Sequence, residues 1–143
     1  MNIELRKVKV VESLSDETTC FSADVYIDGV KVGFASNRGE GGPTDVHVSR
    51  EDAEKLTAGQ PGDAGDRVDD LLTVHLQAKD LTKTLKRRVL FVRDGKLWEQ
   101  GPFKSPDRLA AAIRALAVNN SQVLNLLPFG DALRLYRTHG EQS

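Results

Sequence analysis

The chain has 143 residues, 39% of them hydrophobic and 29% charged, with a formal net charge of −1 and a pI near 6.3. That length suits one domain with a sizeable core, and no apolar run approaches a membrane span. The single cysteine excludes an internal disulfide framework and fits a reducing compartment, and the pI argues against a dedicated nucleic-acid binder.

The opening Met-Asn-Ile-Glu-Leu-Arg lacks the features of a secretion signal, so a cytoplasmic setting is expected. Ile3 and Leu5 alternate with polar residues, and Val8 and Val10 alternate in the opposite phase. The phase change across Arg6-Lys7 predicts a bulge or face switch within one long first strand. Ser13 to Glu17 reads as a turn. Phe21, Ala23, Val25 and Ile27 then alternate with Ser22, Asp24 and Tyr26, which is a strand with one buried face. Asp28-Gly29 follows, the pair favoured where both central turn residues need positive φ. Val30, Val32 and Phe34 are expected to repeat the buried phase on the return, leaving Ser22, Asp24, Tyr26 and Lys31 on a polar face open to water or a partner.

The return strand runs into a glycine-rich loop, Asn37-Arg38-Gly39-Glu40-Gly41-Gly42-Pro43-Thr44. Three glycines in four positions permit backbone angles at which consecutive N–H groups converge on one point. Such a concavity binds anions, and Arg38 adds a fixed positive charge. On this reading Asn37, Arg38, Gly39, Gly41, Gly42 and Thr44 bind a phosphorylated ligand. The same composition also serves a solvated chain reversal. The loop has no Lys-Ser/Thr of a P-loop, and Glu40 would repel a phosphate.

Thr44 to Val48 is expected as a short fourth strand. Ser49 with Asp52 forms a capping box for a short helix, Arg50 to Thr57. Residues 58–65, AGQPGDAG, read as a loop or hinge. From Asp66, Val68, Leu71, Val74, Ala78, Leu81 and Leu85 recur at steps of three and four and predict a long amphipathic helix. Asp66, Asp69 and Asp70 begin it, while Lys79, Lys83, Lys86, Arg87 and Arg88 crowd its end, as the helix dipole favours. Lys83, Lys86, Arg87 and Arg88 are also the candidate nucleic-acid contact.

Val89 to Val92 and Leu97 to Glu99 flank Arg93-Asp94-Gly95-Lys96 and predict a second hairpin. Trp98, the sole tryptophan, is either a sheet anchor or a binding-surface aromatic. Ser105-Pro106-Asp107 supplies an N-cap, a proline at the first helical position and an early acid. The helix they start buries Leu109, Ala112, Ile113, Leu116 and Ala117 and is expected to stop at Asn119-Asn120. Val123 to Leu127 fits strand or helix, Asp131 to Arg137 predicts a last helix with Leu133 and Tyr136 facing in, and His139 to Ser143 should fray. The expected fold class is therefore α+β, an antiparallel meander of three to four strands and a second hairpin packed on three to four helices in a single domain.

Charge is unevenly spread. Residues 1–70 carry fifteen Asp/Glu against eight Lys/Arg, and residues 71–143 carry six against twelve. This polarity predicts either complementary packing of the two parts or head-to-tail homo-oligomers. Among candidate chemical groups, His75 beside the long apolar stripe is expected to be partly buried. Asp45 and His47 share one face of a strand and, with Asp24, outline a conceivable metal site, but no paired cysteines or HExxH support it. Cys20 has no local base or helix N-terminus to make it a nucleophile, and no serine lies in a GxSxG elbow. No catalytic residue, metal ligand or cofactor is therefore assigned.

The segment Phe21 to Gly42, FSADVYIDGVKVGFASNRGEGG, resembles the N-terminal part of small uncharacterised proteins encoded in bacterial and phage genomes. The shared features are the FSADVY strand, the Asp-Gly turn and an Asn-x-Gly-x-Gly-Gly loop, together about a sixth of the chain. Relatives often have a cysteine after the glycine pair, where this chain has Pro43, so shared thiol or metal chemistry is not implied. The resemblance implies a phage or mobile-element accessory protein and no particular activity.

Three functional expectations follow. The first is a non-enzymatic protein-interaction module, a regulator or inhibitor, contacting its partner through Tyr26, Arg38 and Trp98. The second is a binder of a nucleotide or other phosphorylated ligand at the glycine-rich loop. The third is a weak nucleic-acid contact through residues 79–88.

Overall fold

The computed structural model describes residues 1–118 and 121–140. The chain is α+β: its described residues form a four-stranded antiparallel sheet, a three-stranded antiparallel sheet and four α-helices. Its internal contacts divide it into two compact units, Met1–His75 and Leu76–Ser143, with the boundary inside one long helix.

The first unit contains β1 (Ile3–Val10), β2 (Phe21–Ile27), β3 (Val30–Asn37) and β4 (Asp45–His47), hydrogen-bonded in sequence order. The expected bulge in β1 is present: Lys7 has φ 52 and the register against β2 shifts between Arg6 and Lys9. At the tip of the hairpin Asp28 (φ 50) and Gly29 (φ 81) make the tight turn that pairs Ile27 with Val30. β3 then departs from simple alternation. Tyr26 pairs with Lys31 but Val25 pairs with Gly33, leaving Val32 as an extra residue. Side chains beyond the bulge exchange faces. Ala35 and Asn37 turn inward and are buried, while Phe34, expected inside, is 50% exposed. Val30 at the hairpin tip is exposed as well. Gly33 lies where a Cβ would sit 2.0 Å from the His47 carbonyl oxygen, so a side chain here would push β4 away.

The helices of this unit start as their caps dictate. Ser49 Oγ accepts the Asp52 N–H ahead of α1 (Arg50–Thr57) and donates to the Asp52 carboxylate. α2 (Ala64–Leu85) begins two residues earlier than expected because Asp63 and Asp66 each accept the other's backbone N–H. The unit's buried apolar residues are Leu5, Phe21, Ala23, Val25, Ile27 and Ala35 of the sheet, Leu56 of α1, and Val68 and Leu72 of α2. His75, expected to be partly buried, is exposed.

The second unit contains the last turns of α2, then β5 (Val89–Arg93), β6 (Lys96–Gln100), α3 (Pro106–Ala117), β7 (Gln122–Val123) and α4 (Phe129–Gly140). The predicted hairpin gains a third strand, because β7 pairs with the free edge of β5 and makes it the central strand. Successive β5 side chains point to opposite faces, so a central strand covered on both faces must be apolar throughout. Val89 and Phe91 enter one cluster with Leu116 and Val123, against which Leu109, Ala112 and Ile113 of α3 pack. Leu90 belongs to the other, with Leu81, Leu124 and Ala132, flanked by Val92, Leu97, Leu133 and Tyr136. Full burial of residues such as Leu81 and Leu124 contributes roughly 1.5–3 kcal/mol each. The expected N-cap holds, since Ser105 accepts the Arg108 N–H with Pro106 in the first turn. The expected stop of α3 at Asn119-Asn120 lies outside the described residues, and of the end expected to fray, His139 to Ser143, the described His139 and Gly140 belong to α4 while 141–143 lie outside.

After β7 the chain makes a 3-10 turn, Leu124–Leu126, whose Asn125 joins three segments. Its Oδ1 accepts the Leu90 N–H at 3.0 Å, and its Nδ2 donates to the carbonyls of Leu85 (3.3 Å) and Arg88 (3.0 Å). On α4, the Tyr136 hydroxyl donates to Asp80 at 2.8 Å. Burial first, and the Asp80 hydrogen bond second, push the phenol up from 10 to about 12. A proton held more tightly in the folded state favours folding up to the unfolded pKa and is lost through the folded one. Urea unfolding should therefore show stability falling from pH 10 to pH 12, with a smaller fall in Tyr136→Phe.

Candidate functional site

Residues paired across neighbouring strands share a face, and the register of the first sheet places two ladders of side chains on its outer surface. One runs Glu4, Tyr26, Lys31, and the next runs Arg6, Asp24, Phe34, His47. Phe34 and His47 stack with ring centroids 4.5 Å apart. The Arg6 guanidinium lies 4.1 Å from the Tyr26 ring centroid, and its Nε donates to Glu4 at 3.0 Å, the hydrogen bond that raises the Arg6 pKa most. Asp24 pairs with Lys31 at 3.5 Å. Between the β1 bulge and Phe34 lies a shallow hollow of about 270 Å³, lined by Lys7, Lys9, Ser22, Asp24 and Phe34. Lys7 and Lys9 are exposed and form no ion pair among the described residues.

Tyr26, expected on the polar face, is there. Sequence reading grouped His47 with Asp24, which do share a ladder here, but missed Phe34 and Arg6 as members of this surface. Phe34 was hidden by the extra residue in β3, whereas the arginine is an ordinary exposed residue until the register aligns it.

The glycine-rich loop is built around Asn37, which the bulge turns inward. Its Oδ1 accepts the Thr18 hydroxyl (2.7 Å) and the Gly39 N–H (2.8 Å). Its Nδ2 donates to the Gly42 carbonyl (3.1 Å) and to Thr44 Oγ1 (3.2 Å). Thr44 in turn donates to Asp69 of α2 at 2.5 Å. The Gly39 carbonyl accepts N–H groups from Asp16, Glu17 and Thr18, and the Gly41 N–H points to Thr18 Oγ1 at 3.4 Å. Gly39 (φ 82) and Gly41 (φ 89) take angles that favour glycine, and a Cβ on Gly39 would meet the Leu14 carbonyl at 2.1 Å. Gly39 and Gly41 thus serve close packing against residues 14–18, with their N–H groups directed to Asn37 and Thr18. Arg38 is exposed, and Gly42 has open space around it.

The remaining candidates lie in the second unit. Trp98 is 51% exposed on edge strand β6, opposite Phe91, and its Nε1 donates to the Arg93 carbonyl at 3.3 Å. Tyr26 and Trp98 therefore occupy different sheets. Of the basic group, Arg88 is bound to Glu99 at 3.0 Å, Lys83 is exposed on α2, and Lys86 and Arg87 border a cavity described below. Among the described residues no group of three His, Cys, Asp or Glu is arranged to hold a metal ion. Asp24 faces Lys31, and His47 lies against Phe34. No helix of the described residues is long and apolar enough to cross a membrane.

No family model, curated protein or solved structure matches this chain.

Replacing Asn37 by Ala removes four hydrogen bonds from a buried position and should cost about 2–4 kcal/mol in urea unfolding. It should also speed proteolysis between residues 38 and 43. Arg38→Ala, at an exposed side chain, should change neither measurement appreciably.

Proposed function

We propose that this chain is a non-enzymatic protein-interaction module whose contact surface is the outer face of β1–β4. The observation that carries the reading is Phe34: a large apolar ring, half exposed, held in place by His47 on a face that also presents Tyr26 and Arg6. A contiguous exposed apolar patch, rather than a lone exposed side chain, marks an interaction surface, and here the Phe34 ring is extended by the stacked His47 ring. Aromatic and arginine side chains dominate binding energy at protein interfaces. The hollow beside Phe34 has Lys7 and Lys9 on its rim, which suits a partner segment carrying an apolar side chain next to a carboxylate. The resemblance of residues 21–42 to bacterial and phage-encoded proteins fits a phage or mobile-element accessory protein, and a regulator or inhibitor role is part of the same proposal.

Photo-crosslinking tests this directly. With p-benzoylphenylalanine replacing Phe34, a discrete adduct should form in the host cell, and Tyr26→Ala in the same chain should abolish it. The photoreactive residue at Glu51, exposed on α1, should form none. Adducts of equal yield from both positions, or none from position 34, would defeat the proposal. Phe34→Ser should unfold within about 1 kcal/mol of the wild type, because half of the ring is already in water.

A further inference from the structure

We propose that the second unit carries a binding site for the phosphoryl group of a small phosphorylated ligand, in the cavity between the end of α2 and the start of α3. The cavity measures about 490 Å³. Lys86, Arg87 and Lys104 line it together with the Ser105 hydroxyl, and its lining contains no carboxylate. Pro102, Phe103 and Pro106 supply the apolar wall. That volume and mixed lining are typical of a small-molecule site rather than of an extended nucleic-acid track.

The positions of the cations argue for an anion. Lys86 and Arg87 follow the C-terminus of α2, where the helix dipole favours positive charge, so they need no ligand to account for them. Lys104 is the opposite case. It immediately precedes Ser105, the N-cap of α3, and so adds a cation at the positive end of a helix. The chain is tied there: the Phe103 N–H donates to the Arg87 carbonyl at 2.8 Å, and a Cβ on Gly101 would lie 3.0 Å from that same oxygen. The tether brings the three cations to one cavity. None of them forms an ion pair among the described residues, whereas neighbouring Arg88 is neutralised by Glu99. An anion in the cavity would offset the mutual repulsion of the cations, while Asp107 in the first turn already meets the α3 dipole. In the first turn of α3, Pro106 has no N–H and the Arg108 N–H donates to Ser105, so the recognition rests on the three cationic side chains.

The test is an NMR titration of the ¹⁵N-labelled full chain with inorganic pyrophosphate at constant ionic strength. Saturable shifts confined to amides near Lys86 and Arg87 and from Phe103 to Arg108 are expected. Lys104→Gln, at an exposed side chain, should weaken binding about tenfold. Lys83→Gln, on the same helix but outside the cavity lining, should leave it unchanged. Shifts that never saturate, or an equal loss from Lys83→Gln, would overturn the proposal. So would a twelve-nucleotide single-stranded DNA that binds more tightly than pyrophosphate and depends on Lys83, since that outcome describes backbone contact along the helix. A thermal melt of each variant separates lost binding from lost folding.

Discussion

The extra residue in β3 governs the first unit. A two-residue turn at Asp28-Gly29 would by itself carry strict pairing down the hairpin, with Val32 and Phe34 beside Val25 and Ala23 in the core. Inserting Val32 into the ladder reverses every side chain after it. Two consequences follow from one backbone event. Phe34 moves to the solvent face, where it meets His47, and Asn37 moves inside, where it becomes the hub of the following loop. The surface and the rigidity of the loop beside it thus share a cause.

The loop shows how glycine-rich composition divides between two physical uses. Consecutive N–H groups free to converge make an anion concavity, but glycine is equally required where backbone approaches backbone. Here Gly39 sits against the Leu14 carbonyl and Gly41 against the Glu17 side chain, and Asn37 supplies the acceptor that the turn's N–H needs. The loop works as a clasp between residues 14–18, the sheet edge and Asp69 of α2. An ordered edge of this kind holds the neighbouring sheet face in one shape, which lowers the ordering cost of any contact made there.

The second unit solves a different problem with similar economy. A two-stranded hairpin alone is marginal, and a third strand with burial of β5 on both faces compensates. β7 contributes only two residues, yet the 3-10 turn after it places Asn125 where it completes the β5 backbone pairing and accounts for two carbonyls at the end of α2. A partly buried amide that makes three hydrogen bonds defines one geometry for three segments at once.

Local chemistry was legible in the residues themselves. The two Asp-Gly turns, the caps at Ser49 and Ser105 and the β1 bulge at Lys7 all depend on neighbours within a few positions, and all appear as expected. What the residues left open depended on distant partners. The phase of β3 changes at Val32 in its pairing with β2, β7 pairs with the edge that β5 offers, and His75 is exposed although its helix is amphipathic. The candidate surface was half visible, since Tyr26 follows from alternation but Phe34 does not. Periodicity reports which residues of one strand share a side, while the side itself is chosen by pairing with strands elsewhere in the chain. Register is a tertiary property, so the outward turn of Phe34 and the inward turn of Asn37 were decided only when the sheet closed.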